Sequence, residues 1–256
     1  MKKYIIALDL HGTLLDLNWK IKPDLENDLK NVLTNLIPNV DFYICTGNNF
    51  SFVEKYVPKD IFDLINGFIL ETGCILNQTI LTDHEIISKI NILKDYLIKK
   101  QYPFIKFFAD RKSSISIFTC DEYGGEPPER YLDTITNDLQ THEYQNDFYV
   151  TYSNVAIDII PANFSKWNTL KTIKDNTSCE IISFMDSYND KDVALYSDYT
   201  ILPNNSSHEL LNYLKQNNKN IIPLKDFAFS QKQAYFCDDK YTLAVINGLK
   251  KIMDLI

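Results

Sequence analysis

Residues 5–16 read IIALDLHGTLLD. The apolar run closes at Leu8, an acid follows at Asp9, and Gly12-Thr13 marks a turn. A short apolar run cut off by a charge and a glycine predicts a buried strand of a parallel sheet. A carboxylate at the tip of such a strand is costly to bury alone, so Asp9 needs a compensating partner from elsewhere in the chain. His11 follows on the turn itself.

Working outward, apolar runs alternate with helical patterns through the first third of the chain. KYIIAL (3–8), VDFYIC (40–45) and GFIL (67–70) read as strands. Between them, PDLENDLKNVLTNL (23–36) carries a stripe at Leu25, Leu29, Leu33 and Leu36, and NFSFVEKYV (49–57) reads as a short helix. This alternation predicts a parallel sheet with right-handed crossovers. The middle breaks the rhythm: a long helix, HEIISKINILKDYLIKK (84–100), precedes β-rich segments PFIKFF (103–108), SISIFTC (114–120) and FYVTYS (148–153). A helical stretch, PPERYLDTITNDL (127–139), and a turn-rich one, DEYGGEPPE (121–129), lie among them. The parallel rhythm then resumes with helix SKWNTLKTIKD, strands EIISFM and DYTIL, helix SSHELLNYLKQN and a last helix, KYTLAVINGLKKIMDL. Residues 218–239 read only as irregular or short strands. The fold class expected is α/β: a Rossmann-like, three-layer core (1–82 and 161–256) with an inserted α+β module (83–160).

At 256 residues the chain suffices for one large domain or two smaller ones. A formal charge of -8 argues against nucleic acid or an anionic membrane as partner. Five scattered cysteines, with no C-x-x-C, suggest buried thiols in a reducing compartment. The opening MKKYIIALDLHG has a basic start, but its apolar stretch meets Asp9 too early for a secretory signal. No run approaches a membrane span, so a cytoplasmic protein is expected. The sequence does not fix an oligomeric state.

Two other strands end as the first does, at Thr46 in YICTGNN and at Asp186 in IISFMDSYND. Ligands of open parallel sheets bind at the carboxyl ends of strands, so Asp9, Thr46 and Asp186 are expected to share a site. Lys166, at the start of the helix before the Asp186 strand, would approach from the side. A carboxylate, a hydroxyl, a lysine and an acidic cluster suit phosphoryl transfer. Read locally, Thr46 also fits a turn cap, Lys166 a solvated helix residue, and D-x-x-N-D a capped helix start. P-loop and dinucleotide glycine motifs are absent, and His84, His142 and His208 lack metal-ligand spacing.

Together these segments resemble the haloacid dehalogenase superfamily, specifically its capped sugar-phosphatase branch. DLHGTLLD is similar to the first motif apart from His11, and CTGNN to the second, with Asn48 where many relatives carry arginine. AIDIIPANFSKWNTL resembles the segment carrying the third-motif lysine, here Lys166, and FMDSYNDKDVAL the fourth, with Asp186, Asn189 and Asp190. The resemblance implies a phosphatase acting on a small phosphorylated substrate through an aspartyl-phosphate on Asp9. It implies Mg²⁺ held by Asp9, the His11 carbonyl and Asp186, with Asp190 orienting Lys166 or a metal-bound water. Thr46, Gly47, Asn48, Lys166 and Asn189 would surround the phosphate. His11 stands where the family has a second aspartate; histidine can serve as the acid/base there, since its pKa suits neutral pH. A slow or phosphotransferase-type member, or a phosphosugar-binding protein, are the alternatives. DRKSSISIF resembles a cap segment with basic substrate contacts, which makes Arg111 and Lys112 candidates, with Asp158 for sugar hydroxyls.

Overall fold

Tyr4–Leu8 forms β1, with all five residues buried, near the centre of a nine-stranded sheet. The structure, a computed structural model, describes residues 3–121 and 124–256, so the first two residues and part of the DEYGGEPPE turn lie outside it. After β1 come β2 (Val40–Cys45), β3 (Gly67–Leu70), β4 (Ile75–Leu76) and β5 (Thr79–Ile80). The middle of the chain holds β6 (Phe107–Phe108), β7 (Ile115–Phe118), β8 (Cys120–Asp121), β9 (Gly124–Gly125), β10 (Phe148–Tyr152) and β11 (Ala156–Pro161). Then follow β12 (Glu180–Phe184), β13 (Tyr199–Leu202), β14 (Ile221–Pro223) and β15 (Ala234–Phe236). The helices are α1 (Pro23–Leu36), α2 (Phe50–Tyr56), α3 (Lys59–Phe62), α4 (His84–Lys100) and α5 (Leu132–Gln140). They continue with α6 (Lys166–Thr177), α7 (Lys191–Tyr196), α8 (His208–Gln216) and α9 (Tyr241–Met253).

The large sheet runs β14-β15-β13-β12-β1-β2-β3-β4-β5, parallel from β14 to β3 and closed by an antiparallel hairpin. Its central strands are largely apolar and buried because helices cover both faces. Alternate residues of β1 show this: Tyr4, Ile6 and Leu8 join the core under α1 and α9, whereas Ile5 and Ala7 face Leu170 of α6 and Leu210 of α8. The α1 stripe is buried at Leu29, Val32, Leu33 and Leu36. Each such leucine contributes about 1.5–3 kcal/mol relative to exposure. The architecture is the α/β class expected, with a three-layer core.

A second sheet, β10-β11-β7-β6, is antiparallel and carries its own core, in which Ile90, Leu93 and Leu97 of α4 meet Ile135 of α5 and Ile157 and Ile159 of β11. Asp83 caps α4 by accepting from the Ile86 amide at 2.8 Å. Here PFIKFF proves shorter than expected, paired only over Phe107–Phe108. Pro103 lacks an amide proton and starts a turn instead. The stretch 218–239 supplies β14 and β15, which extend the parallel sheet. No described helix is long and apolar enough to cross a membrane.

One close approach fixes α9. A Cβ on Gly248 would lie 2.5 Å from Cε1 of Phe184 and 2.9 Å from Cδ1 of Ile201, both buried strand side chains. Although glycine is a poor helix former, Gly248→Val is expected to lower stability by about 1–3 kcal/mol through overpacking. The reading is a lower urea midpoint at unchanged slope; a midpoint equal to wild type would show that α9 does not sit this close.

Candidate functional site

β12, β1 and β2 are neighbours, and the chain leaves β1 toward β2 and β3 on one side while β12 and β13 occupy the other. That change of direction opens a crevice at the carboxyl ends of the strands. Asp9 follows β1, Thr46 follows β2 and Asp186 lies two residues past β12. Backbone bonds hold them there: the Asp9 amide donates to the Phe184 carbonyl at 3.0 Å, and the Thr46 amide to Ile69 at 2.8 Å. The turn at Gly12 (φ +89) must lack a side chain, since a Cβ would come within 2.2 Å of Asp186 Oδ2.

Ser165 caps α6 by accepting from the Asn168 amide at 3.0 Å, which starts the helix at Lys166. The Lys166 ammonium is buried and donates to Asp9 Oδ1 at 2.6 Å and to Asp190 Oδ1 at 2.5 Å. Asp190 is also held by the hydroxyl of Ser187 at 3.1 Å, and Asp186 by that of Thr13 at 3.2 Å. Oxygens of Asp9, Asp186 and Asp190 lie within 4.8 Å of one another. Burial, then Asp190, pushes Asp9 up to about 7 against the pull of Lys166. Burial, then Asp9 and Asp190, holds Asp186 well above the carboxylate range. Burial alone would lower Lys166, but Asp190 and Asp9 outweigh it and keep the ammonium charged. One cation against three buried carboxylates leaves negative charge to offset, and the all-oxygen donor set fits a hard divalent ion.

The cleft in front of Asp9 encloses about 560 Å³, mouth included, and is lined also by His11, Thr46, Gly47, Asn48, Arg111, Asp158 and Asn189. Nε2 of His11 is buried on this wall without a hydrogen-bond partner. Burial holds the ring below its usual value, although a hydrogen bond to the Leu17 backbone and the charge of Asp16 act against it. The imidazole is therefore neutral at pH 7. Thr46 Oγ1 accepts from the Asn48 amide at 3.1 Å and its side-chain nitrogen at 3.2 Å, which leaves the hydroxyl proton to donate. Asn48 Oδ1 in turn accepts from Arg111 Nη2 at 2.7 Å, a link from core to cap. Asn189 Oδ1 accepts from the Ser187 hydroxyl at 2.7 Å.

Lys166, Asp186 and Asp190 stand behind Asp9 rather than on the cleft wall. Lys112 is not brought to the cleft at all. Its side chain is exposed, on an irregular segment where Arg111 takes the inner position. The Lys112 amide instead donates to both oxygens of Glu71 at 3.0 Å, and the Ser113 amide donates to Oε2 at 2.7 Å. Glu71, wholly buried after β3, therefore holds the Arg111 segment in register. The sequence reading missed it, although ILETGC repeats the signal of an acid at a strand tip. Asn154 also lines the cleft, and its side chain reaches from the β10–β11 turn to Asp186 Oδ2 at 3.2 Å.

With this geometry in view, residues 6–146 match the haloacid dehalogenase-like hydrolase family, and the chain belongs to it. No curated protein matches in sequence. Among solved structures, sucrose-phosphatase from Synechocystis sp. PCC6803, in complex with sucrose and phosphate, aligns over 100% of both chains at 16% identity with a TM-score of 0.70. The C-terminal domain of trehalose-6-phosphate phosphatase from C. albicans aligns over 100% of this chain and 94% of that one, at 16% identity and a TM-score of 0.61. A haloacid dehalogenase-like hydrolase from Bacteroides thetaiotaomicron covers 98% of this chain and 100% of its own, at 12% identity and 0.63. At such identities the likeness establishes the fold.

Asp158 supplies a pH signature. Burial raises it to about 6, while Ser116 and Arg111 pull it back. A folded-state value above the unfolded one stabilises fully below about pH 4, and that contribution is lost as pH rises through about 6. The loss is at most about 3 kcal/mol. Urea midpoints at pH 4 to 7 should fall less steeply in Asp158→Asn than in wild type; parallel profiles would remove Asp158 as a titrating group.

Proposed function

We propose that this hydrolase is a magnesium-dependent phosphatase that releases phosphate from a small phosphorylated metabolite of the sugar-phosphate class. Asp9 carries the reading: a buried carboxylate on the cleft wall, one oxygen tied to Lys166 at 2.6 Å. The sugar-phosphate class is supported by the neighbours named for sucrose and trehalose-6-phosphate. In this reading residues 83–160 form the cap over a core of 1–82 and 161–256. The five scattered cysteines suit work in the reducing cytoplasm.

Asp9 attacks phosphorus as an ionised carboxylate and needs no base. The P–O bond to the leaving alcohol breaks, and that oxygen takes a proton from His11. A phosphate dianion beside the imidazole favours its protonated form, against the burial that depresses it in the free protein. His11, neutral again, then takes a proton from the water that cleaves the aspartyl-phosphate and frees Asp9. Asp9, Asp186 and the His11 carbonyl would hold Mg²⁺, which when bound offsets phosphoryl charge. Thr46 donates its hydroxyl proton to a phosphoryl oxygen, and Lys166 draws Asp9 toward its ionised form. Asp190 orients Lys166, and Asn189 supports that loop through Ser187.

Phosphate release from a panel of sugar phosphates tests this. Chelation should abolish turnover and Mg²⁺ restore it. Asp9→Asn should fall to background, and His11→Ala by about 10²–10⁴-fold in kcat, with His11→Asp retaining activity. Phosphorylated protein that accumulates without turnover would favour a phosphotransferase. Wild type as inert as Asp9→Asn, with ligand still bound, would make it a binding protein.

A further inference from the structure

A second hollow, about 860 Å³ with its mouth, opens beside the Asp9 cleft. The two are continuous: Trp19, Asn48, Phe52, Arg111 and Phe118 line both. Its walls are aromatic and come from both halves of the molecule. On the core side Trp19 packs edge-on against Phe52 at 5.5 Å and Tyr56 at 5.2 Å. On the cap side Phe107 lies flat on Phe118, with centroids 4.5 Å apart and planes 14° apart. Phe107 is 42% exposed, an apolar ring left in water.

Trp19 is held there at a cost. Its φ of +60 is uncommon for so bulky a residue. The turn is fixed by Asp16, whose carboxylate accepts from the Asn18 amide at 2.8 Å and the Lys20 amide at 3.0 Å. Such strain gathers where a side chain must be presented. Lys55 and Arg111 give the rim two cations and Asp110 one carboxylate. A simple sugar phosphate, with its hydroxyls toward Asp158 and Arg111, would fill only the Asp9 cleft and leave these rings wet.

We infer that the hollow is a leaving-group subsite and that the substrate's phosphorylated, hydroxyl-bearing unit carries a planar aromatic ring. This rests on the phosphatase reading and narrows it to ring-bearing phosphomonoesters. The ring stacks between core and cap aromatics, so its binding also holds the two halves together over Asp9. Stacking of this kind is worth roughly tenfold to a hundredfold in affinity per ring.

Matched ligand pairs test it by calorimetry with Mg²⁺ on the Asp9→Asn protein: adenosine monophosphate against ribose 5-phosphate, and flavin mononucleotide against ribitol 5-phosphate. At least one ring-bearing member should bind tenfold or more tightly than its partner. Tyr56→Ala and the exposed Phe107→Ala, which line the second hollow but not the Asp9 cleft, each in the Asp9→Asn background, should erase that advantage without weakening the ring-free ligand. No advantage in either pair, or one that survives both substitutions, overturns the inference. Hydrolysis by wild type separates the two failures: equal binding with turnover of other phosphoesters sinks the subsite alone. A ring advantage in binding with no phosphoester ever cleaved sinks the phosphatase reading alone. A dimer in sedimentation that Phe107→Ala dissociates would make the hollow a self-association face and overturn the subsite as well.

Discussion

Lys166 places one ammonium between the carboxylates of Asp9 and Asp190, all three buried. Taking these charges out of water costs several kcal/mol per ion, and the short, doubly engaged geometry offsets it. The pair spans 157 residues of sequence between Asp9 and Lys166, so it can form only when β1, α6 and the loop after β12 have closed together. The strain of this arrangement is electrostatic. Asp186 adds a third buried carboxyl group with no ammonium of its own, held against the Gly12 turn by the Thr13 hydroxyl. A fold built for stability alone would not retain such a surplus, which is why the cluster reads as functional.

From this centre a polar chain runs outward: Thr46 to Asn48, then Arg111, beside Asp158 of the cap. Core and cap thus share one set of hydrogen bonds at the cleft. Asn154 reaches Asp186 from above, and Tyr152 stacks on Tyr188 at 5.3 Å. The inner wall is polar. The outer wall, from Trp19 to Phe107, is apolar and adaptable. The difference between the two walls follows directly from where each residue leaves its strand or turn.

The Asp9 cluster was legible in the sequence because its signals are local. A buried strand ends where its apolar run ends, so Asp9, Thr46 and Asp186 could be put on one sheet edge without any tertiary knowledge. Ser165 before Lys166 is a helix start readable by itself. The aromatic wall was not legible in this way. Trp19, Phe52 and Phe107 are far apart, and an aromatic in isolation reads as core. Choosing between Arg111 and Lys112 required knowing which way an irregular segment faces. The acid of ILETGC sent the right signal, but its partners are main-chain groups, which no side-chain pattern announces. Pro103 shortened a strand that periodicity alone extended.

Those main-chain partners have an evolutionary consequence. Glu71 grips the 112–113 segment through amides that every residue except proline possesses. The side chains mounted there can therefore drift without loosening the joint. Substitutions that retune selectivity meet a fixed hinge, so a change of diet need not wait for a compensating change in the scaffold.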